Sequence, residues 1–387
     1  MEFSHIFNSK STKIIAFFAL FFAFLTVNAI ASDDSDSSAH IVTNSMETHN
    51  SSEEKEGKFD IKGFIFHHIG DANEFTFWGH GESWRGLYLP IILWTNNGLT
   101  MFSSKEFKHD NHGEVIVEKN GNEFVRNEGK VYYASNAEAG SNLTLVTNEK
   151  GKTSVANQRP LSFSITKNVF TILLSTTILI ILFLSVASSY KKREGKAPKG
   201  FQSLIEPIII FVRDDIAKPN LGYKYERYMP YLLTVFFFIW FNNMFGLVPF
   251  FPGGANVTGN IAVTFVLATI TFLITTFSGN RYYWAHVFKP NVPWWLYPLM
   301  VPVEILGLFT KPFALMIRLF ANITAGHILV LSLLGLIYVF NTISIAPVSL
   351  AFAVFIGMIE LLVAFIQAFI FTILSALFIG LAIEEHH

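Results

Sequence analysis

The chain has 387 residues, 51% hydrophobic and 15% charged, with a net charge of −1 and no cysteine. Charged residues make up about 25% of an ordinary soluble domain, so the composition excludes a disordered chain and argues against a wholly soluble enzyme. The charge balance gives no electrostatic reason for a nucleic-acid partner. The missing cysteines exclude disulfides, thiolate chemistry and Cys-ligated metal.

Residues 1–31 read as a secretory signal peptide. Lys10 and Lys13 precede an apolar run from Ile14 to Val27, and Ala29-Ile30-Ala31 fits a small-x-small cleavage pattern. Residues 32–58 are polar and charged and are expected to form a disordered exported tether. Short β-type runs follow at Phe64–Phe66, Phe75–Trp78, Leu87–Trp94, Glu114–Glu118 and Lys130–Tyr133, with hairpin-turn signals at Asn97-Gly98 and Asn120-Gly121. A small β-rich exported (periplasmic) domain over residues 59–160 is therefore expected. Its histidines, His67, His68, His80, His109 and His112, lack a regular ligand spacing. No metal and no cofactor are expected.

The membrane domain is expected over residues 164–387. Ser164–Ser188 carries no charge except Lys167 and is long enough for a tilted span. Nine Lys and Arg residues then fall within 190–227, a cytoplasmic mark that agrees with an exported N-terminus. Further spans are expected at Tyr228–Phe251 and Ile261–Phe277, then two very long helices at about 295–339 and 345–383, parted by Phe340-Asn341-Thr342. The expected fold is an all-α polytopic membrane protein of about five passes, the last two helices long and tilted, carrying the small β-rich domain. Its expected place is the bacterial inner membrane, with the C-terminus in the cytoplasm.

The last two helices carry Glu304, Lys311, Arg318, His327 and Glu360, with the polar Asn322 and Gln367. A charge at bilayer depth costs about 2.5–3.5 kcal/mol on insertion scales, so such residues face protein or a wet cavity. At 100° per residue, positions 304, 311, 318 and 325 form one slowly drifting stripe, with Asn322 one turn beyond Arg318 and His327 half a turn out of phase. Glu360 and Gln367 share a face of the last helix, with small residues Gly357, Ala364 and Ala368 around them. The chemistry suggested is proton or ion relay. His327 can exchange a proton near neutral pH, whereas Arg318 keeps its charge.

The run Lys311-Pro312-Phe313-Ala314-Leu315-Met316-Ile317-Arg318-Leu319-Phe320-Ala321-Asn322-Ile323-Thr324-Ala325-Gly326-His327 resembles the signature of subunit a of F-type ATP synthases. Trp240–Pro249, Thr258–Thr264 and Gln367-Ala368-Phe369-Ile370-Phe371 extend the resemblance over about residues 200–385. The resemblance implies that Arg318 faces the c-ring carboxylate and that Asn322 and Gln367 are its polar neighbours. It implies that His327 and Glu360 line the exported-side half-channel, exchanged relative to many bacterial members. Glu304 is a weaker candidate for the proton path. The implied partners are the c-ring, b-type peripheral stalk subunits, the F1 catalytic head indirectly, and membrane lipid. The chain itself has no GxxxxGK[ST] phosphate loop and is not expected to make ATP alone. A stand-alone secondary ion transporter is the alternative, although no internal repeat supports it. The long exported region departs from the family pattern.

Overall fold

The structure, a computed structural model, describes residues 65, 69–78, 85–134, 143–147, 153–192, 197–248, 254–290, 292–340 and 345–384. The expected signal peptide and tether lie outside the described residues, as do His67, His68 and His80. The described residues divide into two compact units: one runs to Thr171 and also takes Val248–Ala255, and the other takes Ile172–Leu247 and the residues from Asn256 onward.

The first unit is built from short antiparallel strands. They are β1 (Glu74–Trp78), β2 (Arg85–Tyr88), β3 (Pro90–Thr95), β4 (Gly98–Ser103), β5 (Val117–Lys119), β6 (Asn122–Asn127), β7 (Lys130–Tyr133), β8 (Leu145–Thr147), β9 (Thr153–Val155) and β10 (Leu161–Ser162). They pair as β1-β2, β10-β3-β4, β5-β6-β7 and β8-β9. Alternation in β3 and β4 buries Ile91, Leu93 and Phe102 against Phe107, on the short turn Ser104–Phe107 that follows β4, and against Val117, Phe124 and Val131 of β5, β6 and β7.

Both Asn-Gly signals sit at hairpins, in different ways. Asn120 and Gly121 form the two-residue loop between Lys119 and Asn122, and both have positive φ, as a type I′ turn requires. Asn97-Gly98 straddles its turn: Gly98, at φ 102°, already pairs with Thr95. The two turns are tied together, because Asn97 Nδ2 donates to Asn120 O at 2.8 Å. The expected strand Leu87–Trp94 is split at Leu89, after which β3 begins at Pro90. Glu114–Glu118 is strand only from Val117. Of Phe64–Phe66 only Ile65 is described, and it is helical rather than extended.

The helical elements are α1 (Lys167–Lys192), α2 (Phe201–Phe211), α3 (Lys218–Leu221), α4 (Tyr225–Leu247), α5 (Ile261–Ser278), α6 (Arg281–Phe288), α7 (Tyr297–Phe340) and α8 (Ala346–Ile383). Among the described residues, five helical stretches are long and apolar enough to cross a membrane: Lys167–Lys192, Phe201–Leu247, Ile261–Ser278, Trp294–Ile337 and Ala346–Ile383. The all-α membrane part and the β-rich N-terminal part are thus both present. The 44-residue α7 runs unbroken through Pro302 and Pro312.

In the second unit α8 packs against α4, α5 and α7, and α7 also packs against α5. Close approach is set by small residues, with Ala364, Ala368 and Ala376 fully buried on α8. A few buried polar side chains join the helices. Ser175 Oγ donates to Asn242 Oδ1 at 3.0 Å, Asn243 Nδ2 to Ala364 O at 3.3 Å, and Thr258 Oγ1 to Asn243 Oδ1 at 2.5 Å. The end of α8 is closed by Asn280, whose N–H donates to Ala382 O and whose Nδ2 donates to Ile383 O, both at 2.9 Å. These bonds satisfy carbonyls that a helix terminus otherwise leaves unpaired.

Candidate functional site

The candidate residues fall on two sides of α7. One side is an open stripe. Positions 303, 306, 310, 313, 314, 317, 318, 321, 322, 325 and 329 are all exposed, a spacing of three and four that traces one helix face. Only 6% of the most apolar part of this span is buried within the chain, against 39% to 56% for the other four spans. Arg318 and Asn322 lie on this open stripe, one turn apart, among Ala314, Ala321 and Ala325. No carboxylate among the described residues pairs with Arg318.

The other side meets α8. Here the informative residue is Gly326: a Cβ at this position would overlap the Glu360 carboxyl group, from Oε1 back to Cγ. Glu360 therefore lies directly on the α7 backbone, in space only glycine leaves open. His327 is half-buried and follows Gly326 in sequence. Gly326 is eight residues from Arg318, which is about 12 Å along the helix axis. The structure thus brings Glu360 to the segment that carries His327 and keeps both away from Arg318. Near the same level, Thr324 Oγ1 is buried without a hydrogen-bond partner among the described residues.

Gln367 is buried, on the same helix as Glu360 and two turns further on. Asn322, by contrast, is exposed on the open stripe. Glu304 is half-buried near the start of α7. Burial first, and the Glu304 charge second, hold the Tyr283 hydroxyl of α6 above the ordinary tyrosine range. Tyr283 and Lys311 line a small cleft with Thr271, Thr275, Pro312 and Phe378, and Lys311 Nζ stands 5.6 Å from the centre of the Phe378 ring. A buried polar chain lies on the wall formed by α4, α5 and α8: Tyr231 OH is 2.6 Å from Thr271 Oγ1, itself 3.4 Å from Ser375 Oγ. Sequence reasoning did not single out this chain. Its only local signal was the periodic Thr and Ser within apolar helices.

Among the described residues no group of three His, Cys, Asp or Glu side chains could hold a metal ion. His109 instead joins a hydrogen-bonded series in the β unit. Its Nδ1 is 3.1 Å from Glu74 Oε2, its Nε2 is 2.9 Å from Tyr88 OH, and Glu74 Oε1 accepts from Arg126 Nη2 at 3.3 Å.

Five long apolar helices, the last two carrying Arg318 and Glu360 near their mid-length, define a polytopic helical membrane protein. A family described as ATP synthase A chain matches residues 169–380, more than half of the chain. The chain belongs to that family, subunit a of F-type ATP synthases. It is 52% identical over 230 residues to an ATP synthase subunit a of Chloroherpeton thalassium, covering 58% of this chain and 68% of that one. It is 50% identical over 226 residues to an ATP synthase subunit a 2 of Chlorobaculum tepidum, covering 57% and 63%. It is 49% identical over 232 residues to an ATP synthase subunit a of Chlorobium phaeobacteroides, covering 58% and 67%. The chain thus spans about two thirds of the length of each of these relatives. A second family, a domain of unknown function (DUF8433), matches residues 64–163 and ends at the last strand of the β unit.

Proposed function

We propose that this subunit carries protons between the two sides of the membrane and the carboxylates of a rotating c-ring, through two half-channels that do not meet. The observation that carries the reading is the split across α7: an unpaired Arg318 on an open stripe, and Glu360 seated on Gly326 beside His327 on the packed side. A proton from the exported side passes His327 and Glu360 and neutralises a c-subunit carboxylate. The neutral carboxyl group tolerates lipid, so the ring turns. When it reaches Arg318 from the other direction, the fixed positive charge favours its ionised form and the proton leaves inward. The inward path runs past the cleft of Lys311 and Tyr283 toward Glu304. Arg318 also separates the two paths, because a permanent cation opposes a proton crossing directly.

The open α7 stripe supplies the docking surface for the c-subunit helix, with Ala314, Ala321 and Ala325 allowing close approach. Asn322 lies beside Arg318 on that surface, and Gln367 supports the path from α8. Each proton moving through about 100 mV contributes about 2.3 kcal/mol, so several are coupled to each ATP made in the F1 head. The b-type stalk holds the subunit against rotation. In this reading the β unit is periplasmic and the C-terminus cytoplasmic, following the basic residues of 190–227.

The test uses the absence of native cysteine. Ala321→Cys and Ala325→Cys should each form disulfides with single cysteines on the outer helix of the c-subunit in native membranes. A cysteine in place of Thr372, buried on α8, should not. Cross-linking from the Thr372 position as strong as that from the α7 cysteines, or none from the α7 stripe, would overturn the assignment of that stripe to the c-ring.

A further inference from the structure

The β unit carries an apolar face that the ion path does not use. In the β10-β3-β4 sheet the inward positions of β3 and β4 fill the core, and the outward positions are apolar as well, apart from Ser103 at the end of β4. Leu161, Trp94 and Leu99 stand opposite one another across the three strands. In the neighbouring row Ile92 pairs with Met101, and Phe163 N–H donates to Ile92 O. Trp94, Leu99, Met101 and Leu161 are each more than half exposed, and Phe163 is 46% exposed. No outward position of β3, β4 or β10 carries a charge. The β5-β6-β7 sheet of the same unit differs: Glu118 pairs with Glu123 on its exposed side, as a surface in water would have it. A contiguous apolar patch left open by the described residues of the unit itself marks an interaction surface.

The chain path identifies the partner. Phe163 is four residues before Lys167, the first residue of α1, so at most about 14 Å of extended chain separates the patch from the start of a membrane span. The first turn of α1 is also fastened to the β unit. Lys167 N–H donates to Ala72 O at 2.8 Å, Asn168 N–H donates to Asp71 Oδ1 at 3.2 Å, and Ile165 N–H donates to Pro90 O at 3.1 Å. The sheet is therefore held close to the point where the chain enters lipid. A tryptophan surrounded by Leu, Met and Phe, with no charge to pair, is the chemistry of the bilayer interface.

We propose that the Trp94–Met101–Leu161 face of the β unit rests in the lipid interface around α1, so that the unit is a monotopic membrane anchor as well as an appendage of the first span. The proposal does not depend on the ion path. Its test places one nitroxide label on the cysteine-free chain at Leu99 or Met101, with Glu123 as the reference site on the opposite sheet and Ile181 as the reference within α1. The assembled complex is reconstituted into vesicles of phosphatidylcholine and phosphatidylglycerol. Collision with lipid-soluble oxygen and with a water-soluble nickel chelate is then measured. The oxygen-to-nickel ratio at Leu99 and Met101 should exceed that at Glu123 severalfold and approach that at Ile181. Three results would overturn the proposal: a ratio equal to that at Glu123, which places the face in water; protection from both reagents, which places it against protein; or spin–spin broadening, which places it against a second copy. The two label sites check each other, since a local disturbance at one does not reproduce at the other.

Discussion

Arg126 and Arg318 carry the same side chain into two regions that treat it in opposite ways. Arg126 is 2% exposed and is held on three sides. Its Nη2 donates to Glu74, its Nε donates to Asp110 O at 2.7 Å, and its guanidinium lies 5.6 Å from the centre of the Phe107 ring. Arg318 stands on an uncovered helix face without an ionic partner among the described residues. A buried charge left unpaired is costly, so folding alone accounts for Arg126. It does not account for Arg318, which has no such partners among the described residues. In the function proposed above one arginine serves the fold and the other serves the complex, and mutation separates the two.

The largest effect is expected at Arg318. Arg318→Ala should leave the complex assembled and abolish ATP-driven proton pumping in inverted vesicles. Arg318→Lys should recover little, because an ammonium lacks the planar fork and loses its proton more readily when desolvated. Normal pumping by Arg318→Ala vesicles would remove the central role assigned to it.

Arg126→Ala should have the converse profile. It leaves Glu74, only 9% exposed, without its cation. Breaking one side of a buried pair costs about 3–5 kcal/mol. Amide exchange in β1 and β6 should accelerate accordingly, while pumping per assembled complex stays at the wild-type level. If exchange is unchanged, Arg126 is not the keystone that its burial implies.

A third, intermediate effect sharpens the contrast on α7 itself. Gly326→Ala places a methyl group where the Glu360 carboxylate lies. Transport should slow without loss of Arg318-dependent coupling. Adding Glu360→Asp, which shortens the side chain by one methylene, should restore part of the rate. A double variant slower than Gly326→Ala alone would show that the Glu360–Gly326 contact is not what the substitution disturbs.

Much of this was legible in the sequence, for physical reasons. Apolar runs of span length and the basic cluster after the first span marked the membrane helices, because lipid leaves few other solutions. The half-turn offset between Arg318 and His327 followed from helical periodicity alone. Other features were hidden because they depend on contacts distant in sequence. That Glu360 packs on Gly326 joins positions 34 residues apart. That Arg126 meets Glu74 joins positions 52 residues apart in the β unit, where neither residue stands in a periodic pattern. The split of Leu87–Trp94 was hidden for a local reason: the apolar run is continuous, but Pro90 has no N–H to donate to a ladder. The outward apolar face of β3 and β4 escaped notice because alternation shows which residues share a side, and here both sides are apolar.

The smallest expected effect lies at the far end of the Arg126 series, at Tyr88. There His109 Nδ1 faces the Glu74 carboxylate at 3.1 Å and Nε2 faces the Tyr88 hydroxyl at 2.9 Å. Burial first, and the Glu74 charge second, hold the Tyr88 hydroxyl above its ordinary range. The folded state therefore keeps its proton at a pH where an unfolded tyrosine has lost it. The associated stability is fully present below about pH 10, the ordinary tyrosine value, and falls as pH rises through it. Tyr88→Phe removes both the hydrogen bond and this titration. At neutral pH it should cost about 0.5–1.5 kcal/mol, read as faster exchange in β1 and β2. Between about pH 9 and 11 the variant should lose less protection than the wild type once intrinsic exchange is corrected, so the difference between them narrows. Parallel losses in the two proteins would mean that Tyr88 titrates as if in water, and the chain from Arg126 would then end at His109.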